Sequence, residues 1–263
     1  MILSYGFKYR RAVSVTESPA PALLSRPTMP RLLSQRDTRT TEIMDDPGCD
    51  RERLHRTYRQ FRAVNAALSR IRSVYKRWIR PAMRIPERSY SLLDIGFGGG
   101  DIARALHRWA CADGLRLTIT GIDIDARAYG YVQTLAWPAG VTFRVADVSE
   151  LRAEQERYDF VFSNHLVHHL DSAALPAMLA SAAALCAREV LFVDVQRGDL
   201  AYLGFAFLSA IAFRDSYIRH DGLISIKRSY TRRELAAIAP PGWTVERLFP
   251  FRLVLRYAAA TEA

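Results

Sequence analysis

The chain has 263 residues, 49% of them hydrophobic, and a formal net charge of +10. That is the profile of a globular protein with one α/β domain plus an extension or a small cap. Its three cysteines, Cys49, Cys111 and Cys186, form no CxxC pair and no metal-ligand spacing, so a cysteine metal site is excluded and a reducing, cytosolic compartment is expected. The charge is localised: residues 1–40 hold 7 Lys/Arg against 2 Asp/Glu, residues 41–90 hold 12 against 6, and the remainder holds 18 against 19. Any electrostatic grip on a polyanion would come from the N-terminal part alone, and no nucleic-acid partner is expected for the near-neutral remainder.

Residues 1–41 mix Pro, Ser, Thr and Arg without a sustained apolar period, and are expected to be a disordered basic extension. The first apolar stretch is too short for a signal-peptide core. Residues 42–90 read as a helical lid. Glu42 to Cys49 is a loop, Asp50 is a candidate N-cap, and one long helix is expected from about Arg51 to Arg80, stopped by Pro81. Leu54, Tyr58, Phe61, Val64, Leu68, Ile71, Tyr75 and Trp78 recur at steps of three or four on one face, with arginines on the other. Such a helix can be a packing element, a lid whose Tyr58, Phe61 and Tyr75 wall a ligand site, or a contact for an anionic membrane surface.

Next comes Leu92-Leu93-Asp94-Ile95-Gly96-Phe97-Gly98-Gly99-Gly100-Asp101, followed by the helical run IARALHRWA. A strand, a turn of alternating glycines and a helix make a cradle where bare backbone approaches a ligand closely. A dinucleotide fingerprint fails when counted from Gly96, where its third glycine falls on Asp101; counted from Gly98 its middle glycine falls on Gly100 and its third on Ala103, which is tolerable on glycines alone. D-x-G-x-G-x-G uses every alternate glycine and includes Asp94. An acid at the turn suits a ligand carrying an amine and a sulfonium rather than a pyrophosphate.

Strands and helices then alternate, the signal of a parallel doubly wound sheet. Strands are expected at Leu115 to Ile124, Val141 to Val145, Tyr158 to Phe162 and Val190 to Val195. The second ends in Asp123-Ile124-Asp125, the third in Ala146-Asp147-Val148, and the fourth runs into Ser163-Asn164-His165-Leu166-Val167-His168-His169-Leu170. An insertion, 196–230, contains the nearly all-apolar LAYLGFAFLSAIAF, too short to span a bilayer, which takes about 20 residues. It is a buried cap helix, an apolar pocket wall or an interfacial helix. Arg219-His220-Asp221-Gly222 reads as a polar turn, Thr231-Arg232-Arg233-Glu234 as a capping box, and Trp243 to Phe249 and Phe251 to Tyr257 as two final strands.

These motifs, in this order, resemble those of the class I S-adenosylmethionine-dependent methyltransferases, from about Ser91 to the C-terminus. The N-x-x-x-H-H-L stretch is similar to that of small-molecule enzymes of quinone and polyketide biosynthesis, and differs from the (D/N)-P-P-(Y/F) motif of nucleic-acid amino methylation. The resemblance implies an α/β, Rossmann-like, mostly parallel seven-stranded sheet with an antiparallel C-terminal pair, spanning 91–263. It implies S-adenosyl-L-methionine as cofactor, held by Asp94, Gly96, Phe97, Gly98 and Gly100 at the turn. Asp123 would accept from the ribose hydroxyls, since a carboxylate can hold two neighbouring donors, with Asp125 in reserve as a helix start. Ile124 would lie against the adenine, Asp147 and Val148 would meet its edge, and Ser163 and Asn164 would touch the methionine end.

Methyl transfer from a sulfonium is an in-line displacement in which alignment alone can supply about 7–11 kcal/mol. A phenol or enol acceptor must also lose a proton, for which a positioned histidine is suited. His168 and His169, then His220 in the insertion, are the candidates. No metal site is expected. The expected acceptor is a small apolar or aromatic molecule methylated on a phenolic or polyketide-like hydroxyl. The alternatives are C-methylation of quinone type, and RNA or protein methylation using the basic N-terminal part. A transmembrane segment is not expected; peripheral membrane contact is open, as is the oligomeric state.

Overall fold

The structure, a computed structural model, describes residues 32–259. Its sheet has the order β3-β2-β1-β4-β5-β7-β6. β1 (Ser89–Ile95), β2 (Arg116–Asp123), β3 (Val141–Val145), β4 (Tyr158–Asn164) and β5 (Cys186–Val195) pair in parallel. β7 (Arg252–Ala258) runs antiparallel to both β5 and β6 (Trp243–Leu248). The order reverses at β1, whose neighbours are β2 and β4. Ile95 pairs with Ile122 on one side and Ser163 on the other, so Asp94, Asp123 and Asn164 come to one C-terminal edge. Ligands of doubly wound sheets bind at such a switch point.

The N-terminal helical segment departs from the expected single helix. α1 (Arg51–Leu68) begins as expected, with Asp50 accepting from the Arg53 N–H. It stops at Ser69, whose hydroxyl bonds to the Asn65 carbonyl, and Arg70 is left-handed at φ 60°. The chain then re-enters helix as α2 (Ile71–Val74), a π-type turn over Tyr75–Ile79, and α3 (Arg80–Ala82). Pro81 sits inside that last turn and does not stop it. The break divides one apolar stripe between two tasks. Tyr58 joins Leu54 and Phe97 above the glycine turn, while Ile71, Val74, Tyr75 and Trp78 pack under the sheet. One straight helix could not face both.

The remaining helices are α4 (Asp101–Ala112), α5 (Ala126–Val132), α6 (Val148–Ala153), α7 (Ala174–Ala184), α8 (Asp199–Ala212), α9 (Ile218–Arg228) and α10 (Arg232–Ile238). Alternate strand residues feed the two faces of the sheet. Leu93, Ile95, Val161 and Phe192 meet residues of α6, α7 and α10. Leu92, Phe160, Phe162 and Val193 meet α4 and the 71–83 stretch. Full burial of each such side chain contributes about 1.5–3 kcal/mol.

Two further expectations need correction. Arg219 to Gly222 is not a turn but the start of α9. Gly222 is there for closeness: a Cβ would stand 2.4 Å from the Phe205 ring of α8. The expected disorder of 1–41 lies outside the described residues for 1–31, but residues 32–41 run as a pinned strap. The Leu32 and Leu33 N–H groups donate to Asp199, and Arg36 donates to the His168 and Leu170 carbonyls, each at 2.8 Å. Composition hid this because the partners are more than 130 residues away. Among the described residues no helix is long and apolar enough to cross a membrane.

Candidate active site

A cavity of about 1050 Å³ lies over the C-terminal edge of the sheet, roofed by α1, α8 and α9. Its floor at one end is the glycine turn. Gly96, Gly98 and Gly100 all have positive φ, at 75°, 52° and 72°. The Gly98 N–H donates to Asp123 Oδ2 and the Asp125 N–H to Asp123 Oδ1, both at 3.0 Å. Asp123 thereby ties the first turn to the second, and burial raises its pKa. Asp123 itself lines the cavity, and a carboxylate oxygen can accept more than one donor. Asp125 caps α5 by accepting from the Arg127 N–H.

Asp94 is 2% exposed, and its Oδ2 has no hydrogen-bond partner. Burial first, then the neighbouring Asp101 and Asp123 carboxylates, push its pKa up to about 8. Asp101, the first residue of α4, accepts from Asn65 Nδ2 at 3.0 Å. Asn164 Nδ2 donates to Asn65 Oδ1 at 3.2 Å, while the Asn164 Oδ1 is unpartnered. Unpartnered buried acceptors beside three carboxylates make this end of the cavity a receptor for a cationic donor.

Gly96, Phe97, Gly98, Asp123, Ile124, Asp147, Val148 and Asn164 all line the cavity with Asp94. Ile124 is 76% exposed, open for a flat group to lie on. Asp147 caps α6 through the Ser149 N–H, in a capping box with Glu150. Two expected contacts are not on the wall. Gly100 lies behind it, where a Cβ would meet Trp137 at 2.5 Å, so this glycine serves packing and the left-handed turn. Ser163 is buried and donates to the Ile95 carbonyl at 2.8 Å, holding β4 to β1. Of the expected aromatic wall, Tyr58 and Phe61 line the cavity, whereas Tyr75 is in the core with its hydroxyl on Asp113.

The rest of the cavity wall combines apolar side chains, Phe61, Leu68, Leu166, Met178, Phe205 and Leu208, with a cluster of charged and imidazole groups. Three histidines belong to that cluster. His168 is 1% exposed, with Nδ1 2.9 Å from Asp194 Oδ1 and Nε2 3.1 Å from Glu42 Oε1. Burial would lower its pKa, but Asp194 and Glu42 outweigh burial and hold it at about 10. His168 is therefore an imidazolium with both nitrogens engaged, and has no lone pair to take a proton. His165 accepts from Arg252 Nη1 at 2.9 Å, and burial and that guanidinium keep it well below the usual histidine range. His169 is partly exposed and faces Asp45 at 3.4 Å and Glu42 at 3.9 Å. His220 does not line the cavity; it points outward with Nδ1 on Asp221. The helix that replaced the expected turn carries it away, and Asp221 instead faces inward to accept the Ile43 and Met44 N–H groups.

Sequence reading missed Glu42, Asn65, Asp101, Asp194 and Arg252. Asp194 carried a usable signal: like Asp123, it is an acid at the end of an apolar strand. Glu42 carried none, since it sits in a loop far from its partner.

Residues 92–203 match a family model described as a methyltransferase domain. The matched stretch is similar to a methyltransferase domain. The match begins at Leu92 in β1 and ends inside α8, so it contains the glycine turn, both strand-end acids and the histidine turn. A comparison with curated proteins gives no match. Among solved structures, the plantazolicin methyltransferase BpumL in complex with a triazolic desmethylPZN analog and SAH is 13% identical to this chain. That alignment covers 82% of this chain and 92% of BpumL, with a TM-score of 0.57. The same enzyme with a pentazolic analog aligns at 12% identity, 79% and 95% coverage and a TM-score of 0.55. The magnesium protoporphyrin IX methyltransferase of Synechocystis PCC 6803 with bound SAH is 17% identical, with 83% and 91% coverage and a TM-score of 0.43. At such identities the BpumL likeness shows the fold alone.

Proposed function

We propose that the protein transfers a methyl group from S-adenosylmethionine to a small apolar or aromatic acceptor, with a phenolic or polyketide-like hydroxyl as the leading acceptor. The observation that carries this reading is the division of one cavity into an acidic, unpartnered end and a remainder where apolar side chains stand beside the histidine cluster. The cofactor fits the acidic end. Its ammonium meets the need of Asp94 for a donor, and its ribose hydroxyls can use the remaining acceptor directions of Asp123. Its adenine can lie on exposed Ile124, near Asp147. When bound, it supplies an activated methyl group. The residues around it then bind, orient and exclude water, which is where most of the acceleration of such a displacement arises.

The apolar side chains favour an uncharged acceptor over a polyanion. α1 turns Tyr58, Phe61, Val64 and Leu68 to the cavity, while Arg51, Arg53, Arg59 and Arg62 are exposed on its outer side. That arrangement counts against RNA as acceptor. Three free cysteines accord with a reducing compartment.

α8 supports a further reading, peripheral contact with a membrane. Leu200, Leu203, Phe207 and Ile211 share one helix face, and Leu200, Phe207 and Ile211 are 73%, 69% and 68% exposed. Ala201, Gly204, Phe205 and Leu208 on the adjacent face line the cavity. A helix with one apolar face outside and one inside suits an acceptor drawn from lipid.

Calorimetric titration with S-adenosylhomocysteine tests the cofactor. Micromolar binding to wild type and a loss of about 100-fold in a folded Asp123→Ala variant are expected, from removing charge-assisted hydrogen bonds of about 1.5–3 kcal/mol. No binding to folded wild type would sink the reading. Screening phenols and quinols with product NMR then separates O- from C-methylation.

A further inference from the structure

His168 and His169 are consecutive residues of the tight turn Val167–His169, and both rings reach one buried carboxylate. Glu42 Oε1 lies 3.1 Å from His168 Nε2 and 3.9 Å from His169 Nε2. Each ring's other nitrogen faces a carboxylate of its own. His168 Nδ1 is 2.9 Å from Asp194 Oδ1, and His169 Nδ1 is 3.4 Å from Asp45 Oδ2. The Ser225 hydroxyl donates to the same Glu42 oxygen at 2.8 Å.

A buried ion pair between His168 and Glu42 explains the 3.1 Å contact. It gives no reason for His169 to bring Nε2 toward the same oxygen while Nδ1 faces Asp45. Histidines that ligate metals do both: Nδ1–H is fixed by a carboxylate, which sets the tautomer, and Nε2 is presented to the ion. One ligand atom each from Glu42, His168 and His169 lies within 4.8 Å of the others. A small contraction would bring all three to the roughly 2.0–2.2 Å reach of one zinc ion. The surrounding charge is also suitable, since Glu42, Asp45 and Asp194 supply three carboxylates. Two guanidinium groups stand near: Arg228 at 3.6 Å from Asp45, and Arg252, which is engaged by His165.

We propose that Glu42, His168 and His169 form a two-histidine, one-carboxylate site for a first-row divalent ion of the zinc type. The ion takes the place of the proton on His168 Nε2. Asp194 and Asp45 orient the two imidazoles. Two nitrogens and one oxygen leave a position unfilled, as in open zinc sites, and all three residues line the cavity. An oxygen of the acceptor would occupy that position; this last point alone rests on the methyl-transfer reading. The site was not legible in the sequence because Glu42 is 126 residues from His168.

The test uses the tag-free full chain, stripped with chelator and equilibrated with zinc, and reads bound metal by mass spectrometry. One ion per chain is expected, with Co²⁺ in its place giving a visible d–d band. His169→Ala and Glu42→Gln should abolish stoichiometric uptake, and Asp45→Ala should weaken it about 10–100-fold, the usual effect of removing a carboxylate behind a ligand. Circular dichroism reports folding of each variant. Wild type that takes up no zinc overturns the proposal, as does uptake that survives both His169→Ala and Glu42→Gln. S-adenosylhomocysteine titration runs in parallel. Zinc uptake without it leaves the metal site standing and the methyl-transfer reading fallen, and the reverse result does the opposite.

Discussion

Glu42 Oε1 and His168 Nε2 meet at 3.1 Å with neither side chain more than 4% exposed, joining the segment before α1 to the turn after β4. Burial would raise the Glu42 pKa, but the His168 imidazolium holds it below the usual carboxylate range. In metal-free protein, Glu42→Ala leaves a buried cation with one carboxylate fewer. A cost of about 3 kcal/mol is expected, the lower end for breaking a buried ion pair, since Asp194 still engages His168. A urea midpoint within error of wild type would show that the contact carries no stability.

With Asp94 meeting the cofactor ammonium as proposed, cofactor binding is expected to depend on pH. The folded pKa of Asp94, about 8, lies above the ordinary 3.8, so at pH 7 the unliganded protein carries the proton. An arriving ammonium favours the carboxylate. Binding therefore releases a proton, and affinity rises as pH increases through about 8. Titration in buffers of different ionisation enthalpy should show release approaching one proton at pH 7. Asp94→Asn should abolish that release and weaken S-adenosylhomocysteine binding about 10–100-fold, the worth of one hydrogen bond to a charged group.

Gly100→Ala separates packing from binding. The new Cβ would stand 2.5 Å from Trp137 and 3.0 Å from Phe143, on a backbone at φ 72°. Overpacking and a left-handed alanine together should cost about 2–4 kcal/mol. Because Gly100 does not line the cavity, the folded fraction should bind S-adenosylhomocysteine with the wild-type constant. Loss of affinity at unchanged stability would contradict this.

The outer face of α8 predicts vesicle binding. Flotation with anionic vesicles should recover wild type, and the double variant Phe207→Gln, Ile211→Gln should bind about 10–100-fold more weakly, from the apolar transfer lost. Its denaturation midpoint should stay within about 0.5 kcal/mol of wild type, since both side chains are exposed. Wild type that ignores vesicles and sediments as a dimer would assign this face to a second copy of the chain.

The strands were legible because each is a short apolar run ending in a local signal. Asp94 and Asp123 were identifiable as strand-end acids, and the Gly96-to-Gly100 run marked a turn, which the structure builds with positive φ at Gly96, Gly98 and Gly100. Local chemistry also placed both caps, Asp50 and Thr231. Where the outcome depended on distant partners, the same reasoning failed. The stripe from Leu54 to Trp78 keeps its period across Ser69 and Arg70, so the break was invisible until two different surfaces claimed its halves. Gly222 signals a turn locally, yet it is in a helix because Phe205 packs where a side chain would be.

The sequence by itself determined the alternation of strands and helices, the glycine turn and the acids beside it, because periodicity, glycine freedom and strand ends are properties of neighbouring residues. Only the tertiary structure decided what the histidines are. His165, His168 and His169 are equivalent as letters. Burial, Arg252, Asp194 and Glu42 make the first neutral and the second a cation, and leave the third partly exposed between Glu42 and Asp45. Electrostatics in a buried site is set by groups gathered from the whole chain, and that gathering is what folding supplies.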